Sequence, residues 1–581
     1  MYFGGDYNPD QWPEDVWSED VDLMRRAGVN LATVGVFSWS RLEPSVGVYD
    51  FEWLDRVFDL LHANDIQINL STPTASPPPW FSLAYPDAMP VRADGVRLSH
   101  GSRDTYCVNA PAYREASRRI VTALAERYGG HPATAMWHVH NEYGTLCYCD
   151  HCATAFRAWL SERHKSLDEL NDAWTTGFWS QRYGSWEQIL PPRATQYRSN
   201  PAQLLDYRRF FSDALLTHYR EQRDVLRAHG KQPVTTNYVM AGWTPLDHWK
   251  WSAEVDLVAI DHYPDQPGED GLAQIAFASD LARSWARGKP WILMEQGVAA
   301  MYTPERTLAL EAGEHVRRSL EYVARGAGGV LHFQWRASEG GAEQWYQGMV
   351  PHAGADSRIF REVAELGQTL AALPASEPAE TAEVAIAWDD EAGWALGYPA
   401  LPVSGMDFWT TVEQAHRVLW RNGVAADFAH PSHDLSRYRA VLVPSLYLIS
   451  DEAAANLAAY VEGGGTLVVS YFSGIADPDT RVRLGGYPGA LRDLLGVRVE
   501  EFRPLTAPVT LSDGTTCDFW SEPVQLTGAT ATATYPDGNP AITRHEVGAG
   551  TAWYISTRLD AAGYTNVLTQ AGVLLGATVP R

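Results

Sequence analysis

The sequence predicts an α/β protein: a (β/α)8 TIM barrel followed by a smaller α/β domain with a flavodoxin-like parallel sheet. Three observations carry that expectation. Eight short apolar runs alternate with amphipathic helical stretches across about 370 residues, the pattern that repeated strand–helix units closing into a barrel require. No glycine-rich phosphate fingerprint follows the first run, which ranks a dinucleotide-binding doubly wound sheet lower. A small, polar, Pro-containing stretch from Leu373 to Thr381 then precedes a second series of apolar runs, as a domain linker does.

The predicted barrel strands are Tyr2–Asp6, Asn30–Val36, Ile66–Leu70, Thr134–Val139, Val234–Asn237, Leu257–Ile260, Trp291–Met294 and Gly329–Phe333. Between them, apolar residues recur at helical spacing over Glu14–Ala27, Phe51–Ala63, Ala112–Tyr128, Leu204–Ala228, Leu272–Arg287 and Thr307–Arg325. The first of these runs into the glycine stop of AGVN. Past the linker, AEVAIAW, AVLVPSLYL and GTLVVSYF are strand candidates, and Asp451–Glu462 is a helix ended by Gly463, Gly464 and Gly465. From about Val497 the pattern turns to short Thr- and Gly-rich β segments, the last clear one being GTAWYISTRL. The expected domains are a catalytic barrel over 1–373 and an α/β domain over 382–575.

Composition narrows the function classes. With 581 residues and 45% hydrophobic content the chain can bury several cores. A net charge of −25 repels nucleic acid and anionic membrane surfaces, and suits a neutral substrate such as a sugar. The 23 Trp and 27 Tyr supply flat faces that pack on pyranose C–H faces, although most such rings in any protein are simply core. The start, MYFGGDYNPD, lacks a basic and apolar leader, and no run approaches the length of a membrane span. A cytoplasmic protein is expected. Five cysteines, four of them clustered, do not resemble a secreted disulfide framework.

Two acids stand where barrel chemistry is usually placed. The apolar stretch in AMWHVHNEYG delivers Asn141 and Glu142 to the end of the fourth strand, and PWILMEQG delivers Glu295 to the end of the seventh. Glycoside hydrolysis needs one carboxyl to protonate the leaving oxygen and one carboxylate to attack or to activate water. A rim acid in a salt bridge would give the same local pattern. Cys147, Cys149 and Cys152 in CYCDHC, with Cys107 in RDTYCVN, form a four-thiolate set suited to tetrahedral structural zinc; reduced thiols packed as small hydrophobes are the competing reading. His151 is a substitute ligand or a solvent-facing residue. Arg103 precedes Cys107 on an active-face loop and can donate to sugar hydroxyls or to a carboxylate, or form a surface ion pair. The proline-rigid turn TPTASPPPW presents Trp80 or packs as a loop. In GGAEQWYQG, Glu343 follows the eighth strand and can accept from two sugar hydroxyls.

Taken together, GGDYNPDQWP, FSWSRLEP, TPTASPPPW, GSRDTYCVNAPAYR, WHVHNEYG, LMEQG and VPHAGADSRIFREV, with GGGTLVVSYFSGI and GGYPGALRDLLGV further on, resemble the family 42 glycoside hydrolases. These are the β-galactosidases of the large retaining clan built on (β/α)8 barrels. The resemblance implies a retaining exo-β-galactosidase with Glu142 as acid/base, Glu295 as nucleophile, and Asn141, Arg103 and Glu343 binding substrate. Asn141 would bond the sugar 2-hydroxyl. It also implies structural zinc on Cys107, Cys147, Cys149 and Cys152, no other cofactor, and a homotrimer assembled through the second domain. Two departures fall in the sugar subsite. Thr303, preceded by Tyr302, stands where many members have a substrate-stacking Trp, and Tyr346 where many have His. They motivate an alternative glycone, α-L-arabinopyranose, handled by the same mechanism. A non-catalytic carbohydrate-binding protein is the rival outside enzymes. The family's small terminal antiparallel β domain is expected to be absent or truncated here.

Overall fold

The computed structural model describes residues 1–374, 382–398 and 401–574. The linker expected at Leu373–Thr381 therefore lies mostly outside the described residues, as does the last residue of the expected 382–575 domain. The chain forms two compact units: one from Met1–Phe156 and the stretch running on from Phe210 through the barrel, the other from Arg157–Arg209 and the C-terminal domain. Arg157–Arg209 thus groups with the second unit, although in sequence it interrupts the barrel.

The barrel strands are β1 (Tyr2–Tyr7), β2 (Leu31–Val34), β3 (Gln67–Thr72), β4 (Thr134–Val139), β5 (Val234–Thr235), β6 (Asn237–Val239), β7 (Ala259–Asp261) and β8 (Trp291–Glu295). A short hairpin, β9 (Ala300–Tyr302) and β10 (Thr307–Ala309), precedes the last barrel strand, β11 (Ala327–His332). The parallel sheet runs β5-β4-β3-β2-β1-β11-β8-β7-β6. Its two ends are consecutive pieces of one strand broken at Thr236, so the ring closes on itself as an eight-stranded TIM barrel. Leu31, Met136, Ala259, Ile292, Met294 and Leu331 fill its interior. Each of the buried Leu, Ile and Met side chains contributes roughly 1.5–3 kcal/mol relative to exposure. Strand β1 needs its two glycines: a Cβ at Gly4 would meet the Leu31 carbonyl oxygen at 1.8 Å, and one at Gly5 the His332 carbonyl oxygen at 2.3 Å.

The helices Glu14–Ala27, Glu52–His62, Pro111–Tyr128, Pro201–His229 and Gly268–Trp285 lie where helical periodicity places them. The helix expected over Thr307–Arg325 is shorter, Glu314–Ala324. Its first residues instead pair antiparallel with Ala300–Tyr302, and Gly313 at φ +79 sets the left-handed turn that starts the helix. The second unit has a seven-stranded sheet. Ala426–Ala429, Val384–Ala387, Ala440–Val443, Thr466–Ser470 and Gly550–Ile555 are parallel, and Pro540–Val547 and Thr530–Thr534 extend it antiparallel. The helix Asp451–Glu462 is capped by Ser450 and ends at Gly463.

Candidate active site

The strand-end acids meet at the barrel mouth. Glu295 is the last residue of β8, and Glu142 lies three residues beyond β4. With Asp261, the last residue of β7, they place carboxylate oxygens within 4.8 Å of one another. The turn that aims Glu142 is strained: His140 has φ 65 and Glu142 φ 49, in the left-handed region. Such non-glycine conformations cost on the order of 1–3 kcal/mol and persist only where neighbours enforce them. Here the Glu142 backbone N–H donates to Asn237 Oδ1 at 2.8 Å and the His140 N–H to Thr72 Oγ1 at 2.8 Å.

Each acid has partners. The Arg103 guanidinium donates to Glu142 Oε2 and, through Nε, to Asp104 Oδ2 at 3.0 Å, and it stacks 5.3 Å over the Phe37 ring. Asn141 Nδ2 donates to Glu142 Oε2 at 3.2 Å. Tyr263 OH donates to Glu295 Oε2 at 2.6 Å, and Asn237 Nδ2 reaches Glu295 Oε1 at 3.4 Å. Asp6, from β1, joins the same cluster. Burial, together with the nearby charges of Glu142 and Asp6, holds the Glu295 carboxyl well above the ordinary range, against the opposing pull of Tyr263 and Arg103. Asp6 and Asp261 are raised for the same reasons, burial first. Each keeps one buried oxygen without a hydrogen bond, Oδ1 in both. Burial and the repulsion among neighbouring carboxyls thus disfavour ionising Asp6, Asp261 and Glu295 together.

The remaining sequence-predicted residues divide. Glu343 lines a cavity of about 620 Å³ with Asn8, Trp12, Phe37, Phe333 and Gln334. Burial raises its carboxyl, and both Arg103 and Glu142 act on it. The Tyr346 ring stacks on Tyr302 (centroids 4.1 Å apart) and meets Phe333 edge-on, so it belongs to the aromatic wall that continues through Tyr302 to Tyr263. Thr303 is not brought into that wall. It turns the β9–β10 hairpin, its hydroxyl bonded to the Arg306 carbonyl at 2.9 Å, and the preceding Tyr302 is the residue that faces the aromatics. Trp80 is packed, its indole N–H given to the Glu43 carbonyl at 2.7 Å.

Cys107, Cys147, Cys149 and Cys152 are buried, free of disulfides, and close together. Sγ of Cys107 lies 3.4 Å from those of Cys149 and Cys152, and Cys149 and Cys152 are 3.8 Å apart. A tetrahedral metal with about 2.3 Å bonds to sulfur has edges of about 3.8 Å, so the four thiols fit one. His151 bonds Asp87 at 2.9 Å and stands outside the set.

Sequence reasoning missed Asp6, Asn237, Asp261 and Tyr263. Asp261 carries the same signal that found Glu142 and Glu295, an acid at the end of an apolar run, but the run in VAIDHYP is short and reads as ending at Ile260.

Comparison with known proteins fits this geometry. Residues 6–373 match the glycoside hydrolase family 42 model described as Beta-galactosidase, and residues 382–574 one described as Beta-galactosidase trimerisation domain. The chain is 46% identical over 587 residues to a beta-galactosidase from an Arthrobacter species, covering 98% of this chain and 85% of that protein. It is 44% identical over 583 residues to beta-galactosidase bgaB of Geobacillus kaustophilus, covering 98% and 86%. The crystal structure of a beta-galactosidase from Bacillus circulans sp. alkalophilus superposes with a TM-score of 0.94 at 35% identity, covering 98% of this chain and 88% of that one.

Proposed function

The chain belongs to the β-galactosidases of glycoside hydrolase family 42 and hydrolyses β-galactosides, and on that premise we propose that it is a retaining exo-enzyme working through Glu295 and Glu142. One observation carries the mechanism: an oxygen of one carboxyl lies within 4.8 Å of an oxygen of the other. Separations near 5 Å leave no room for a water between acid and sugar, and so favour double displacement over inversion.

Glu295 must be the carboxylate for this step, a form that Tyr263 and Arg103 favour against the burial that raises it; its Oε then attacks the anomeric carbon while Glu142 gives its proton to the departing glycosidic oxygen. The bond from that carbon to the aglycone breaks as the galactosyl ester forms. Glu142, now a carboxylate, takes a proton from water, whose oxygen displaces Glu295 and restores the starting state. Tyr263, donating to Glu295 Oε2, leaves Oε1 for attack and stabilises the carboxylate when it departs. Asn141 and Arg103 meet the hydroxyls beside the reacting carbon, and Glu343 and the Tyr346 wall hold the far side of the galactose.

The same reading takes 1–373 as the catalytic barrel and 382–575 as the domain through which three copies assemble. The trimerisation-domain match over 382–574 supports this. Zinc on the four cysteines would tie the loop after β4, just beyond Glu142, to the loop carrying Arg103, a structural duty with no part in the bond changes. Among the described residues no helix is long and apolar enough to cross a membrane, and we place the enzyme in the cytoplasm. Thr303 remains a candidate only through the hairpin it turns, which positions Tyr302.

Purified Glu295→Ala tests the assignment. The account expects kcat on an aryl β-galactoside to fall at least about 10³-fold. A variant with the parent rate would end it.

A further inference from the structure

We propose that Asn237 is a positioning residue for both reacting carboxyls, held in place by His138 and Asp261; the proposal rests on the roles given above to Glu142 and Glu295. Asn237 opens β6 directly after the break at Thr236, and it is fully buried. Its side chain touches groups on three other strand ends at once.

Its oxygen is an acceptor twice over. Oδ1 takes the Glu142 backbone N–H at 2.8 Å and faces His138 Nε2 at 2.9 Å. Burial pushes the His138 imidazole down to about 4, so the ring is neutral near neutral pH. Facing an oxygen already used as an acceptor, its Nε2 is the nitrogen that carries the proton. Two donors converging on Oδ1 fix which way the amide points. Nδ2 is thereby turned toward three oxygens: Asp261 Oδ2 at 2.5 Å, Asn141 Oδ1 at 2.9 Å and Glu295 Oε1 at 3.4 Å.

Three consequences follow for the chemistry. The strained φ of Glu142 is held by the N–H bond to Asn237, so the direction of the acid/base depends on it. Asn141 has its oxygen occupied by Asn237, which leaves its own Nδ2 for Glu142 Oε2 and the sugar. Asp261 takes one amide hydrogen and Asn141 the other. The longer approach to Glu295 Oε1 then keeps that carboxylate within reach of an N–H donor without binding the attacking oxygen tightly. Asn237 contacts no reacting atom closely; it acts through the groups that do.

The test compares the intact enzyme with Asn237→Ala and Asn237→Leu, which is close to Asn in volume but has no acceptor, on two substrates, phenyl β-galactoside and dinitrophenyl β-galactoside. Phenolate needs a proton as it leaves and dinitrophenolate does not, so a misdirected Glu142 shows as leaving-group dependence. The expected result is a kcat/KM on the phenyl substrate that falls by at least about 100-fold, at least tenfold more than on the dinitrophenyl substrate. With the latter, added azide should raise kcat, because the small anion intercepts a galactosyl-enzyme whose base is out of place. Equal losses on both substrates together with a lowered Tm would assign Asn237 a packing role only and overturn the proposal, as would parent kinetics in either variant. If Asn237→Ala does not fold, Asn237→Leu, which keeps the volume but loses the acceptor that holds the Glu142 N–H, decides by the same comparison. Glu142→Ala run alongside separates the two claims: if it too lacks leaving-group dependence, the assignment of the acid/base fails rather than that of Asn237.

Discussion

The barrel mouth and the second unit both bury acids, and they treat them in opposite ways. In the second unit Asp206 is 1% exposed and fully engaged. Its oxygens meet Arg209 at 2.9 Å, Arg163 at 3.2 Å, His164 at 2.8 Å and the Trp174 indole at 2.8 Å. Burial alone would raise its pKa, yet His164, the two arginines and Trp174 bring it down to about 2. At the barrel mouth four carboxyls share one guanidinium, and Asp6 and Asp261 each keep an oxygen without a partner. An acid that stabilises a fold is saturated with donors. The acids that exchange a proton and attack carbon, Glu142 and Glu295, do have donors but share one guanidinium with Asp6 and Asp261, and the resulting repulsion is the working feature of the site.

That contrast can be broken by substitution. Glu295→Ala, with its loss of at least about 10³ in kcat, should leave Tm unchanged or raised, because it removes one member of a crowded like-charge cluster. A large fall in Tm would mean that the mouth is built like Asp206. Asp206→Ala should do the reverse, costing about 3–5 kcal/mol of stability in denaturant titration by taking their shared acceptor from buried Arg209, His164 and the Trp174 indole, with kcat on the folded fraction unaltered.

A third buried acid sharpens the comparison through pH. Glu522 accepts from the Tyr554 hydroxyl, the Trp520 indole at 2.9 Å and the Phe472 backbone N–H at 3.1 Å, with no cation among them, and burial pushes it up to about 7. The folded state therefore keeps a proton that the unfolded chain releases above its ordinary value of 4.5. Stability should fall as pH rises from about 4.5 to 7, by at most about 3 kcal/mol, and Glu522→Gln should flatten that slope. Asp206 has the opposite sign. Its contribution, about 2 kcal/mol, is present above pH ~3.8 and lost as pH falls toward 2. Equal slopes in the parent and Glu522→Gln chains would remove the distinction.

The smallest effects concern the loops. Zinc should copurify near stoichiometrically and fall in Cys149→Ser, read by elemental analysis; a metal-free parent would leave the thiols as packing. Tyr346→His should shift the ratio of kcat/KM for aryl β-galactoside and α-L-arabinopyranoside by about 1–3 kcal/mol, the range a single sugar contact commands.

How much of this was legible beforehand depends on range. The eight barrel strands are local apolar runs of sufficient length, and Glu142 and Glu295 announce themselves as acids at their ends. The helix Asp451–Glu462 is written in its Ser450 cap and glycine stop. Asp261 and Asn237 escaped because their strands are only three residues long, and because what matters about them is the hydrogen bond between neighbouring strands, a contact that no one-dimensional period encodes. Thr303 is singled out by the family resemblance, but the hairpin register turns Tyr302, its neighbour, toward the sugar wall. The grouping of Arg157–Arg209 with the second unit is likewise a long-range choice, made by packing rather than by local pattern.

The account's central claim is that Glu295 and Glu142 act from opposite faces of the sugar through a covalent ester. Proton NMR of the first turnovers of an aryl β-galactoside reads this directly. β-Galactose appearing first and then mutarotating is the predicted result; α-galactose as the initial product would contradict the account.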